Sequence, residues 1–154
     1  MSHVTLPVRT VIVEKLLTAF RGIEQLQTVK AFLAPPTDVI GIEYPALYLL
    51  EISAEDRGIS NNIAKGTMHL MAQVYFKSTM LDSNESLFAD MWLDMDIVAA
   101  EIHGVLHNNV GLSKNGLVNI VEIQYDRVLM NDSVGVLQST FDVEYRHDRG
   151  GAYS

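Results

Sequence analysis

One apolar stripe constrains this chain more than any other feature. Leu87, Met91, Met95, Val98, Ile102 and Val105 recur at three- and four-residue intervals, flanked by Phe88, Ile97 and Leu106. That spacing is the signature of a helix with one buried side. Just upstream, Asp82-Ser83-Asn84-Glu85 has capping-box form, with Asp82 accepting from the first turn and Glu85 reaching back. The pattern predicts a helix over residues 83–107. A helix of that length must lay its apolar side on another layer, which the rest of the chain has to supply.

A shorter helix is expected at the start, where Val8, Val11, Ile12, Leu16, Ala19 and Phe20 share a face. Thr5 can cap it, Pro7 suits its first turn and Gly22 its C-terminal stop. The remaining segments read as strands. Residues 28–34 are β-prone and end at Pro35-Pro36, which cannot continue a central strand. Pro45 leads into Ala46-Leu47-Tyr48-Leu49-Leu50-Glu51-Ile52, whose near-continuous hydrophobicity implies that both faces are covered, within the domain or by a neighbouring subunit. Met68, Leu70, Ala72, Val74 and Phe76 alternate with His69, Gln73 and Lys77 in a third strand. Two antiparallel strands close the chain, over 117–129 and 136–146, with Asn131-Asp132 at their turn and Leu137, Ser139, Phe141, Val143 and Tyr145 on one face of the last. Residues 53–66 are polar and aperiodic and are expected to form a long loop, and 147–154 a flexible tail. The expected fold is a single α+β domain over 1–154: an antiparallel or mixed sheet packed by an N-terminal helix and one long central helix.

Composition narrows the function classes. Eleven Lys and Arg against nineteen Asp and Glu leave a net charge of −8. This balance disfavours wrapping nucleic acid, because phosphate affinity comes chiefly from basic residues that displace counterions. It is compatible with a wall past which nucleic acid slides without sticking. The absence of cysteine rules out disulfides, thiol nucleophiles and Cys-ligated metal sites, and fits a reducing cytoplasm. No signal peptide is evident in Met1-Ser2-His3-Val4-Thr5-Leu6-Pro7, and no apolar run reaches the ~20 residues of a membrane helix. A protein made in the cytoplasm, with no membrane partner, is the expectation.

The motifs of catalysis and cofactor binding are missing. His103 and His107 lie four apart and can reach one metal ion, giving a metal- or ligand-binding enzyme as the alternative from another class. Glu101 and Asp96 do not share their face well, and imidazoles near a helix C-terminus also complement its dipole, the commoner role. Asp90, Asp94, Asp96 and Glu101 read as a solvated face, since the calcium-loop pattern is absent. Phosphate-cradling glycine loops and the Gly-x-Ser-x-Gly elbow are both lacking. No catalytic residue, metal or cofactor is therefore assigned, and no enzyme activity is expected.

The layout of elements resembles the tail-terminator (minor tail) proteins of long-tailed phages. The likeness runs through the opening helix Val8–Phe20, the proline-led strand Pro45–Ile52 and the polar excursion to the strand Thr67–Lys77. It continues through the helix Ser83–His107 to the closing strand Val136–Tyr145, so it covers nearly the whole chain by order and length, without an invariant motif. The resemblance implies a virion protein that forms a hexameric ring on the head-proximal end of the tail tube, stops tube polymerisation and presents a surface to a head-completion or neck protein. Its partners would be other copies, the tail tube protein and genomic DNA passing through the lumen without sequence-specific binding. Another neck, tail-completion or baseplate ring protein is the nearest alternative. Leu47 and Leu49 on the apolar strand, and Glu55, Asp56 and Arg57 in the polar segment, are the candidate contact residues.

Overall fold

The computed structural model describes residues 8–32, 43–58, 63–77, 85–108, 118–129 and 134–148. The first helix, α1, spans Val8–Arg21. It ends where Gly22 was expected to stop it, with the Gly22 amide donating to the Ala19 carbonyl at 3.1 Å and Ile23 to Phe20 at 3.0 Å. Bonds to the third residue back tighten the last turn and satisfy carbonyls that the helix leaves open. Strand β1 (Thr28–Phe32) follows, then β2 (Ala46–Gly58) and β3 (Ile63–Lys77). The second helix, α2, covers Glu85–Asn108, and β4 (Val118–Leu129) and β5 (Val134–Asp148) complete the fold. The expected caps Thr5 and Asp82, the pair Pro35-Pro36 and the turn Asn131-Asp132 lie outside the described residues.

Among the described residues five strands form one sheet in the order β1-β2-β3-β5-β4. β1 runs parallel to β2 and every other pairing is antiparallel, so the sheet is mixed. The amides of Gln27 and Thr28 both donate to the Pro45 carbonyl, at 2.9 and 3.4 Å, and the Thr28 hydroxyl donates to the Glu43 carbonyl at 2.9 Å. These bonds hold the entry of β1 against the entry of β2, across the cis Tyr44-Pro45 peptide.

Both helices cover the same face of the sheet. Ile12, Leu16 and Phe20 of α1 and Met95, Val98 and Ile102 of α2 meet Leu47, Leu49, Met68, Val74, Phe141 and Tyr145 in one cluster. The α2 seam turns slightly from its expected setting: Leu106 is buried and Val105 only partly so, while Ile97 is 40% exposed. On the opposite face a smaller cluster joins Ala46, Tyr48, Tyr75, Val134 and Val136, with Tyr44 at its margin. Tyr48 and Tyr75 pack edge to face there, centroids 5.6 Å apart, a favoured aromatic geometry. The continuous hydrophobicity of β2 thus has its cause within the domain. Alternate residues serve two clusters, one on each side of the sheet.

Three expectations are corrected. Residues 53–66 are not a long loop: β2 continues to Gly58 and β3 begins at Ile63, so only 59–62 separate them. Their aperiodicity has a physical source in a β-bulge between Glu51 and Ser53, which shifts the register, and in the exposure of residues 51–56. The expected tail from 147 is also shortened, since His147 and Asp148 pair with Ala64 and Ile63 in the sheet. Residues 149–154 lie outside the described set. Leu47 and Leu49, proposed as contacts between copies, are 0% and 2% exposed and are spent on the domain's own core.

Candidate functional site

The outer face of the β2–β3–β5 region carries the first polar arrangement. Register places Ser53 of β2 and Asp142 of β5 on either side of His69 in β3, and the bulge in β2 brings Glu55 within reach. His69 Nδ1 lies 2.6 Å from Asp142 Oδ1 and Nε2 lies 2.8 Å from Glu55 Oε1. Ionised carboxylates only accept, so the protonated ring can donate from both nitrogens, one to each carboxylate, and the pair favours that form. The hydrogen bond to Glu55, then that to Asp142, raises its pKa above the ordinary histidine value, against a smaller opposing effect of desolvation. A further ion pair between Lys65 and Glu144 crosses the same two strands. Beside His69 a surface hollow of about 440 Å³ is lined by Ile52, Gln124, Thr140 and Asp142 among others. It sits between the bulge in β2 and a second irregularity in β4 between Val121 and Gln124. In its protonated form, with both nitrogens donating, His69 has no free lone pair to act as a base or metal ligand. It fastens three strands.

A second arrangement lashes α2 to β4. The Arg127 guanidinium lies over the Trp92 ring, 4.7 Å from its centroid, and donates to Asp96 Oδ1 at 2.7 Å. Trp92 and Asp96 are one helical turn apart, so a single side chain from β4 can grip both. About two turns further along α2, Tyr125 and His103 meet with Oη 3.0 Å from Nδ1, and His103 lies nearly parallel to His107 with centroids 5.9 Å apart. Burial pushes the Tyr125 hydroxyl up to about 12. The phenol therefore keeps its proton near neutrality and can donate it into the imidazole.

These positions decide the fate of the residues singled out from sequence. His103 and His107 do adjoin, but Asp96 is engaged by Arg127, and no group of three or more potential ligands is gathered among the described residues. Glu55 is committed to His69 while its side chain stays 72% exposed, and Asp56 is exposed on the same strand. The Arg57 side chain lies outside the described residues. Sequence reasoning missed the Glu55–His69–Asp142 and Trp92–Arg127–Asp96 sets. Alternation along β3 put His69 on the outer face, but its partners lie 14 and 73 residues away, and only register brings them together.

Helix α2, like α1, is not long and apolar enough to cross a membrane, among the described residues. No protein-family model matches the chain, and no curated protein matches it.

Proposed function

We propose that this chain is a structural subunit that works by assembling with copies of itself, and that its role is that of a phage tail terminator. Such a subunit forms a ring at the head-proximal end of the tail tube, halts tube growth and offers a docking surface to the head or neck. The observation that carries the reading is the layout. A helix, three strands, a long helix and two strands make one α+β domain whose helices share one sheet face, and among the described residues each end strand of the sheet pairs on one side only. A ring requires heterologous contacts, in which one patch meets a different patch on the next copy, and two opposed edges suit that geometry.

The polar groups support assembly over turnover. His69 is held by two carboxylates, and the His103–His107 pair has no third ligand gathered beside it among the described residues. The negative net charge suits a lumen that passes genome without holding it. Negative-stain imaging and native mass measurement of the purified chain test the proposal, with a six-fold annulus as the expected result. A chain that stays monomeric, with tails of normal length when its gene is deleted, refutes it. Labelled imaging on virions separates a terminator from another neck, tail-completion or baseplate ring.

A further inference from the structure

The sheet has two ends, and they differ in charge. At one end β1 pairs only with β2 among the described residues, and α1 packs beside it. Together α1 and β1 carry Arg9, Lys15, Arg21 and Lys30 against Glu14, a net of +3. At the other end β4 pairs only with β5 among the described residues, and α2 packs beside it. Together α2 and β4 carry seven acidic residues against Arg127, a net of −6. A chain of net −8 thus keeps a positive flank, with seven of its nineteen acidic residues at the opposite flank.

Apolar exposure follows the same division. Leu93, Ile97, Tyr125 and Val128 are 58%, 40%, 38% and 41% exposed, and all four lie on α2 and β4. Ile52, at the β2 bulge, is the other large hydrophobic so exposed among the described residues. Leu93, Ile97, Ala100 and Gly104 recur every three or four residues along α2, on the side away from its buried seam. A Cβ built at Gly104 meets nothing within 4 Å, so this stripe has room for a partner. Among the described residues β4 is also an edge strand, twelve residues long. Open edges invite pairing with another chain unless they are short or charged. β1 is both, with five residues and an exposed lysine, and this favours an acidic partner over indiscriminate strand addition.

We infer that the acidic, apolar-studded α2/β4 flank of one copy docks on the basic α1/β1 flank of the next. The interface is heterologous and runs head to tail, so repeating it closes a ring or extends a filament. Apolar contact at Leu93 and Ile97 supplies hold, and the opposed charges supply orientation, since two acidic flanks or two basic flanks repel. That the repetition closes rests on the ring reading above; the pairing of flanks rests on the charge and exposure described here.

The test uses the full chain and two charge-reversed forms at exposed positions, Lys15→Glu with Lys30→Glu, and Glu101→Lys with Asp126→Lys. Circular dichroism confirms that each form is folded, and sedimentation velocity reads the assembly state. Wild type is expected to assemble, and to weaken as salt rises from about 0.1 to 1 M, where the Debye length falls from ~10 to ~3 Å. Each altered form alone is expected to assemble more weakly than wild type, since the substitutions take the basic flank from +3 to −1 and the acidic flank from −6 to −2, and an equimolar mixture is expected to form one-to-one pairs through the two unaltered flanks. Leu93→Ser with Ile97→Ser is expected to lower assembly at least about tenfold in concentration, equivalent to ~1.4 kcal/mol, without loss of fold. If wild type assembles and the altered forms assemble equally well, or their mixture yields no one-to-one pairs, the pairing of these flanks is wrong while self-assembly stands. A wild type that remains monomeric at every concentration overturns both.

Discussion

Replacing Gly66 with alanine probes how closely β3 approaches the last strand. Gly66 and Tyr145 are direct register partners, and the tyrosine, 1% exposed, lays its ring over the glycine. An added Cβ would stand 2.6 Å from Cε1 and 2.5 Å from Oη of Tyr145, and closer still to Cζ. Real side-chain carbons do not approach so near, so the ring must leave its packed position. Overpacking a filled site costs about 1–3 kcal/mol, while the loss of glycine's freedom in the unfolded chain returns about 0.4–1 kcal/mol. The expected net loss is therefore roughly 1–2 kcal/mol, or a Tm fall of about 2–8 °C for a domain of this size. Thermal and urea unfolding measure it, with near-ultraviolet circular dichroism reporting the tyrosine environment. In a Tyr145→Ala background the ring is gone, and the same alanine is expected to be neutral or stabilising. Equal costs in the two backgrounds refute the reasoning, because the penalty would then owe nothing to the ring.

The remaining expectations concern pH and the core. His69 has a raised folded pKa, so its stabilisation is fully present below the ordinary value of about 6.5 and disappears as pH climbs through the folded value. The Tm gap between wild type and His69→Gln is thus expected to be open at about pH 6 and to close in alkaline solution, once the imidazolium is lost; a gap that widens with pH contradicts this. Leu47→Ala should cost about 2–5 kcal/mol of unfolding free energy at every protein concentration, as a core truncation does. A loss seen only through weakened assembly would return Leu47 to an interface. Ser139 is fully buried with no hydrogen-bond partner for its hydroxyl among the described residues. Ser139→Ala is expected to raise Tm, by up to about 1 kcal/mol of stability, since a stranded hydroxyl costs about that much or more. A lower Tm would show that the hydroxyl is satisfied.

Periodicity alone sufficed for the elements and their order. The spacing of Met91, Met95, Val98 and Ile102 located α2 and its buried side, and the alternation through Met68, Leu70, Ala72 and Val74 located β3 and its core face. These are local signals, because a residue's neighbours at two, three or four positions decide which side of an element it joins. What lay beyond reach depended on distant pairings. The bulge at Glu51–Ser53 hides the rest of β2 by breaking the alternation, so residues 53–58 carry no local strand signature. Leu47 and Leu49 were legible as apolar but not as core, since the partner that covers an apolar strand is not written in the strand itself. Glu55, His69 and Asp142 come from three strands, and Trp92 and Arg127 from a helix and a strand that follows it. Each set exists only because sheet register and helix packing converge there. The contrast between the two flanks has the same origin: the charges stand in the sequence, but the strand order β1-β2-β3-β5-β4 is what carries them to opposite ends.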